Sequence, residues 1–279
     1  MSTNILPDPI RRLLGVSSDE PILGNTGPDF MTFLTGNNYY LAMEGIDTIT
    51  GGAGNDYIEG GAEADIILLD GGGNSDTLGY YNSSLGVKVT LNEAGGFDLL
   101  GRGAPSGGDA AGDKVLGGFE NLVGSQWADT LTGNTKNNQL FGMGGNDTIR
   151  GLGGNDKLLG GDGNDILIGG AGADSATGQG GNDIYRFENI GQIHFEADTV
   201  QGFTPGDKID LSMIDANPNE VGDQAFHFGG DKTGQVAIVT HTAIPEDDVI
   251  EIRGFGQTLF IHVFHNRGGV PLTPADLIL

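Results

Sequence analysis

The sequence predicts an all-β fold: a flattened, parallel coil of tight turns and short strands, interrupted once and followed by an antiparallel β layer. Three observations predict it. The first is a period of nine: from Gly124 the chain reads GSQWADTLT, GNTKNNQLF, GMGGNDTIR, GLGGNDKLL, GGDGNDILI, GGAGADSAT, GQGGNDIYR without a slip. The second is what the period carries. Its sixth place holds Asp129, Asn138, Asp147, Asp156, Asp165, Asp174 and Asp183, and its eighth holds Leu131, Leu140, Ile149, Leu158, Leu167, Ala176 and Tyr185. The third is composition, with 52 Gly among 279 residues, which suits turns and disfavours helices. A fixed period of this kind marks a repeat architecture.

The spacing has a physical reading. Six residues rich in Gly, Asn and Asp tolerate the left-handed backbone of tight turns. The remaining three, with an apolar centre, make one short strand. Two nonapeptides then complete one circuit, so turns on the same side stack two repeats apart. That lines Asp129, Asp147, Asp165 and Asp183 along one edge, and Asn138, Asp156 and Asp174 along the other. Carboxylates stacked at strand spacing, about 5 Å, repel unless a cation lies between them. Carboxylates together with turn carbonyls form an all-oxygen environment suited to Ca2+.

At these residues the chain resembles the RTX, or haemolysin-type calcium-binding repeat, family, whose consensus is G-G-x-G-x-D-x-U-x with U large and apolar. The resemblance implies a right-handed parallel β-roll with several Ca2+ ions held between turns by Asp side chains and turn carbonyls. The expected side-chain ligands are Asp56, Asp65, Asp76, Asp129, Asp147, Asp156, Asp165, Asp174 and Asp183. The matching turn glycines are Gly52, Gly54, Gly142, Gly144, Gly151, Gly153, Gly161, Gly163, Gly170, Gly172 and Gly180. Asp29 and Asp47 stand in turns that lack the full Gly pattern, and Asn138 offers only a neutral oxygen.

In chain order, residues 1–23 form a lead-in, in which Ile10–Leu14 is either disordered or a helical turn covering the open end of the coil. Residues 24–78 are a first repeat block: GNTGPDFMT, FLTGNNYYL, AMEGIDTIT, GGAGNDYIE and GGAEADIIL, then GGGNSDTLG after a two-residue break at Leu69 and Asp70. Its aromatics Phe30, Phe33, Tyr39, Tyr40 and Tyr57 fit a capping role, with a binding platform as the alternative. Residues 79–123 are an insertion through which the coil continues. GVKVTLN alternates as one half-buried strand, Gly95 to Gly112 reads as a loop, and Leu122 regains the eighth place. Residues 124–186 are the second block.

Residues 187–279 lose Gly and gain β-branched and aromatic residues, as an antiparallel β cap domain would. Phe203, Gly206, Asp207, Ile209, Asp210, Leu211, Ser212, Phe226, Phe228 and Gly229 are similar to the C-terminal β-domain of serralysin-type proteases and of alginate epimerase R-modules. Gln201 stands where that pattern has an acid. The last four residues, Asp276, Leu277, Ile278 and Leu279, resemble an uncleaved type I secretion signal, which implies export through that apparatus to the extracellular space. Arg11 and Arg12 are followed by too few apolar residues for a Sec signal, and no stretch reaches the roughly 18 apolar residues of a membrane span.

The formal net charge is -25, which rules out nucleic acid and anionic membrane as electrostatic partners. It also predicts a metal-free chain that is largely disordered and folds on calcium. With no cysteine, calcium replaces disulfides as the staple. No HExxH, GxSxG, P-loop or dinucleotide motif occurs. His262 and His265, three apart in a strand, face opposite sides. Glu93, Asp98, Asp109 and Asp113 form the one carboxylate group to weigh as acid and base. The expectation is therefore a non-enzymatic, secreted calcium-binding protein that acts by binding or as a surface component, with a polysaccharide or cell-surface partner. A polysaccharide-active enzyme, or its binding module, is the alternative.

Overall fold

The computed structural model describes residues 7–15, 21–32, 35–69, 75–91, 107–188, 198–214, 227–228, 235–240, 247–254, 257–265 and 272–279. Among these the chain is nearly all β, with one seven-residue helix, Asp8–Leu14. The strands form two layers of parallel sheet. One layer is a continuous sheet of 13 strands, and the other is divided into sheets of four and seven.

The period of nine explains the layering. Successive strands alternate between layers, and each pairs in parallel with the strand two repeats away. Leu140 is in register with Leu158 and then Ala176 in one layer, while Ile149 pairs with Leu167 in the other. Every eighth-place residue of the second block is at most 9% exposed. These residues form one apolar core with Ile49, Ile58, Ile67 and Leu78 of the first block. No nonapeptide could bury its apolar centre alone, so stacking is what stabilises the coil.

Five of the seven strands of the second block are longer than the three residues expected, while Thr130–Thr132 and Ile184–Arg186 have three. Gln139–Gly144, Thr148–Gly153, Lys157–Asp162, Ile166–Ala171 and Ser175–Gly180 each have six. The first three places of the next repeat keep pairing across the stack, as Met143 does with Gly161. Only places four to six make the turn.

The insertion acts on one layer only. Asp76–Gly79 pairs directly with Phe119–Val123, so the 13-stranded sheet runs through it. In the other layer Lys114–Leu116 joins the first block beside Ile66–Leu69, and Lys88–Thr90 joins the second beside Thr130–Thr132. The coil does continue, and one sheet is cut in two by it. The loop reading at Gly95 to Gly112 lies mostly outside the described residues.

Beyond residue 186 the stack goes on. Asp198–Phe203 pairs with Ser175–Gly180, Lys208–Asp210 with Ile184–Arg186, and Leu277–Ile278 with Lys208–Asp210. Asp247–Gly254 is antiparallel to both of its neighbours, Gln235–Thr240 and Gln257–His265, and the last is parallel to Asp198–Phe203. This antiparallel layer is thus an extension of the 13-stranded sheet.

Helix Asp8–Leu14 does not cover the open end of the coil. Leu14 packs with Tyr39, Leu41, Tyr57, Val123 and Phe141 in a second apolar cluster. These residues hold the seventh and ninth places, so the cluster lies on the outer face of the 13-stranded sheet. Tyr39 and Tyr57 meet edge to face with ring centroids 4.9 Å apart, and both are fully buried, whereas Phe30 is 85% exposed.

Candidate metal ladder

The sixth-place residues follow the turns onto two edges and stack there. On one edge the backbone N–H of Asp129 donates to Asp147 Oδ1, Asp147 to Asp165 and Asp165 to Asp183, at 2.8, 2.8 and 3.0 Å. On the other, Asn138 donates to Asp156 and Asp156 to Asp174, at 2.7 and 2.8 Å. The same bond links Asp29 to Asp47, Asp47 to Asp65, Asn38 to Asp56 and Asp56 to Asp76. Each acid therefore orients the turn before it through Oδ1.

The acids are buried. Asp47, Asp56, Asp65 and Asp183 have no exposed surface, and Asp147, Asp156 and Asp165 have at most 2%. Burial raises their proton affinity, opposed in part by the backbone N–H bond. The carboxyls of Asp65, Asp147 and Asp156 are pushed up to about 8, and those of Asp129, Asp165 and Asp183 to about 6. A buried carboxylate needs either a proton or a cation.

The second oxygen shows where a cation fits. Oδ2 of Asp47, Asp65, Asp147, Asp156, Asp165 and Asp183 is buried and accepts no hydrogen bond. All but that of Asp47, whose repeat begins with Ala42, pack against the first Gly of their own repeat. A Cβ on Gly142 would lie 2.2 Å from Asp147 Oδ2, and one on Gly151 2.2 Å from Asp156 Oδ2. Backbone oxygens crowd the same turns: a Cβ on Gly163 or Gly172 would meet the carbonyl of Gly145 or Gly154 at 1.6 or 1.7 Å. Among the described residues no three His, Cys, Asp or Glu side chains converge on one point. A bound ion would thus have one or two carboxylates and otherwise backbone oxygens, a hard donor set of the calcium type.

The expected glycines fall into distinct places. Gly142 and Gly151 take the first, under the carboxylate. Gly52, Gly161 and Gly170 take the second, Gly144, Gly153 and Gly180 the third, and Gly54, Gly163 and Gly172 the fourth. Gly161, Gly170, Gly54, Gly163 and Gly172 adopt φ between 115° and 140°, which side chains resist.

Four ladder members were missed in sequence. Asp113 Oδ1 accepts from Asp65 N–H, Glu120 from Asp76, Asp198 from Asp174 and Asp207 from Asp183. Each stands two residues before a buried apolar residue, namely Val115, Leu122, Val200 and Ile209. That acid-x-apolar spacing was the available signal once the nine-residue frame had slipped. A second ladder was also missed. Asn155, Asn164 and Asn182 donate backward to the Oδ1 of Asn137, Asn146 and Asn164, so exposed fifth places and buried sixth places lock the turns in opposite directions. Of the carboxylates weighed for catalysis, Asp113 belongs to the ladder, while Glu93 and Asp98 lie outside the described residues.

A family model described as RTX calcium-binding nonapeptide repeat matches residues 34–67, 41–78, 123–158 and 159–188. No curated protein sequence matches the chain. Among solved structures, the extracellular lipase LipA from Serratia marcescens aligns at a TM-score of 0.27 and 16% identity. The alignment covers 94% of this chain and 40% of that one. The chain spans less than half the length of that lipase.

Proposed function

The chain carries RTX calcium-binding nonapeptide repeats, and on that premise we propose that it is a secreted protein whose β-roll folds on Ca2+ outside the cell and acts there by binding or as a structural component. One observation supports this most: six buried carboxylate oxygens in the stacked turns accept no hydrogen bond. A cation at each would offset the cost of burying charge, and ligand that binds only the folded chain stabilises it. Where calcium is scarce the acids repel and the chain stays unfolded, a state fit for export through a type I apparatus. At the millimolar calcium typical outside cells the sites fill. Among the described residues no helix is long and apolar enough to cross a membrane. A polysaccharide or cell-surface partner would complete the role.

The reading is tested by titrating chelator-treated protein with calcium under far-UV circular dichroism, with magnesium as control. The expected result is a cooperative gain of β signal near millimolar Ca2+ that magnesium does not reproduce, since the smaller ion holds its water more tightly. A chain that shows the full β signal in chelator would overturn it.

A further inference from the structure

The sixth-place residues are of two kinds, and the backbone at the second place of the repeat separates them. Where the second residue is left-handed, Oδ2 is open: Met43, Gly61, Met143, Leu152, Gly161 and Gln179 have φ of 85°, 98°, 83°, 80°, 118° and 77°. They belong to the repeats of Asp47, Asp65, Asp147, Asp156, Asp165 and Asp183, six acids whose Oδ2 accepts no bond, and Gly170, with φ 115°, has the same backbone in the repeat of Asp174. Where the second residue is not left-handed, its own N–H closes the turn. Asn25 donates to Asp29 Oδ2 at 2.7 Å, Gly52 to Asp56 Oδ2 at 3.2 Å, and Ser125 to Asp129 Oδ2 at 2.6 Å. Asn134 donates to Asn138 Oδ1 at 2.8 Å in the same way.

We propose that this backbone switch at the second place decides which turns take calcium, so that the turns of Asp47, Asp65, Asp147, Asp156, Asp165 and Asp183 bind it directly while those of Asp29, Asp56 and Asp129 are closed by their own N–H. The inference rests on the calcium reading above and goes beyond it by assigning the sites. In an open turn the rotated peptide takes the N–H away from Oδ2 and leaves a buried, unpartnered oxygen that only a cation or a proton can satisfy. In a closed turn the oxygen already has a partner, and a full charge is not needed. Asn138 fits this, for a neutral amide stands in a closed turn and makes the same bond. Residue type does not set the switch. Gly52 is closed, whereas Met143, Leu152 and Gln179 bear the strain of a left-handed backbone in the way that functional sites do.

The test is calcium stoichiometry of the full chain, by equilibrium dialysis and atomic absorption, for the wild type, Asp129→Asn, Asp156→Asn, Leu152→Val and Leu152→Gly. Far-UV circular dichroism at saturating calcium checks that each variant holds the roll. Asp156→Asn is expected to lose at least one ion, and Asp129→Asn none. Leu152→Val, β-branched and so averse to positive φ, should lose an ion or bind it several-fold more weakly, while Leu152→Gly keeps the wild-type count. Equal losses in Asp129→Asn and Asp156→Asn, or an intact count in Leu152→Val, would overturn the switch. Should Asp156→Asn not fold, Asp183→Asn makes the same comparison. A wild type that binds no calcium would sink the calcium reading itself, which is a separate failure.

Discussion

At the scale of single residues, the repeat is a set of steric demands that one carboxylate makes on its neighbours. Gly151 has no room for a side chain: a Cβ there would sit 2.2 Å from Asp156 Oδ2 and 2.5 Å from the Gly169 carbonyl. Two places on, the nearest atom to a Cβ on Gly153 is 3.6 Å away. Gly151→Ala should therefore destabilise the calcium-loaded roll by about 1–3 kcal/mol, the cost of overpacking. Gly153→Ala should stay within about 0.5 kcal/mol of wild type, as at an ordinary partly exposed site. Urea unfolding of the two variants in saturating calcium checks the difference, and equal midpoints would mean that the first glycine is not held against the acid. The sixth-place acid and the first-place glycine were both legible in the sequence, because both recur. The conformation of the second place was not, because Gly52 and Gly161 are the same residue in opposite states.

At the scale of elements, inward residues were easier to read than outward ones. The eighth place is apolar in nearly every repeat, so the core was plain from period alone. The outer cluster draws on Tyr39, Leu41, Tyr57, Val123 and Phe141, at seventh and ninth places that hold polar residues in other repeats, such as Thr130, Thr132, Thr148 and Arg150, and so it leaves no periodic trace. The helix illustrates the gap. Pro7 before it and Gly15 after it, with φ 73°, mark its ends, and both were visible, yet its docking face was not. Its end is anchored on the turn edge, where Asn37 Nδ2 donates to the Gly15 carbonyl at 2.8 Å. Leu14, 2% exposed, should contribute about 2–3 kcal/mol, the low end for a buried Leu→Ala change. Thermal unfolding of Leu14→Ala in calcium should show that loss. A change within error would mean that the helix does not pack on the sheet in solution. The slipped frame hid Asp113, Glu120, Asp198 and Asp207 for the opposite reason: their spatial pattern is regular, but the chain reaches it through connections of 48, 44, 24 and 24 residues.

At the scale of the whole molecule, the buried ladder makes stability depend on protons and calcium in opposite ways. The folded, metal-free ladder holds Asp65, Asp147 and Asp156 at about 8 and Asp129, Asp165 and Asp183 at about 6, against about 4 for a carboxyl in an unfolded chain. Burial is the main cause, so the folded state binds these protons more tightly than the unfolded state. The stability they confer is fully present below about pH 4 and is lost as pH rises through 6 to 8. Metal-free protein should therefore gain β structure on acidification from pH 8 to pH 5, while the net charge remains negative given a pI near 4.1. In the open turns calcium takes the place of the protons, so its midpoint should rise over the same descent in pH, because each ion must displace them. A pH series of calcium titrations under circular dichroism measures both effects. If acid removes β signal from the metal-free chain, or leaves the calcium midpoint unmoved, the carboxylates are not buried in the stack as described. If both shifts appear together, the same oxygens bind both ligands, and the net charge of -25 is what makes folding wait for one of them.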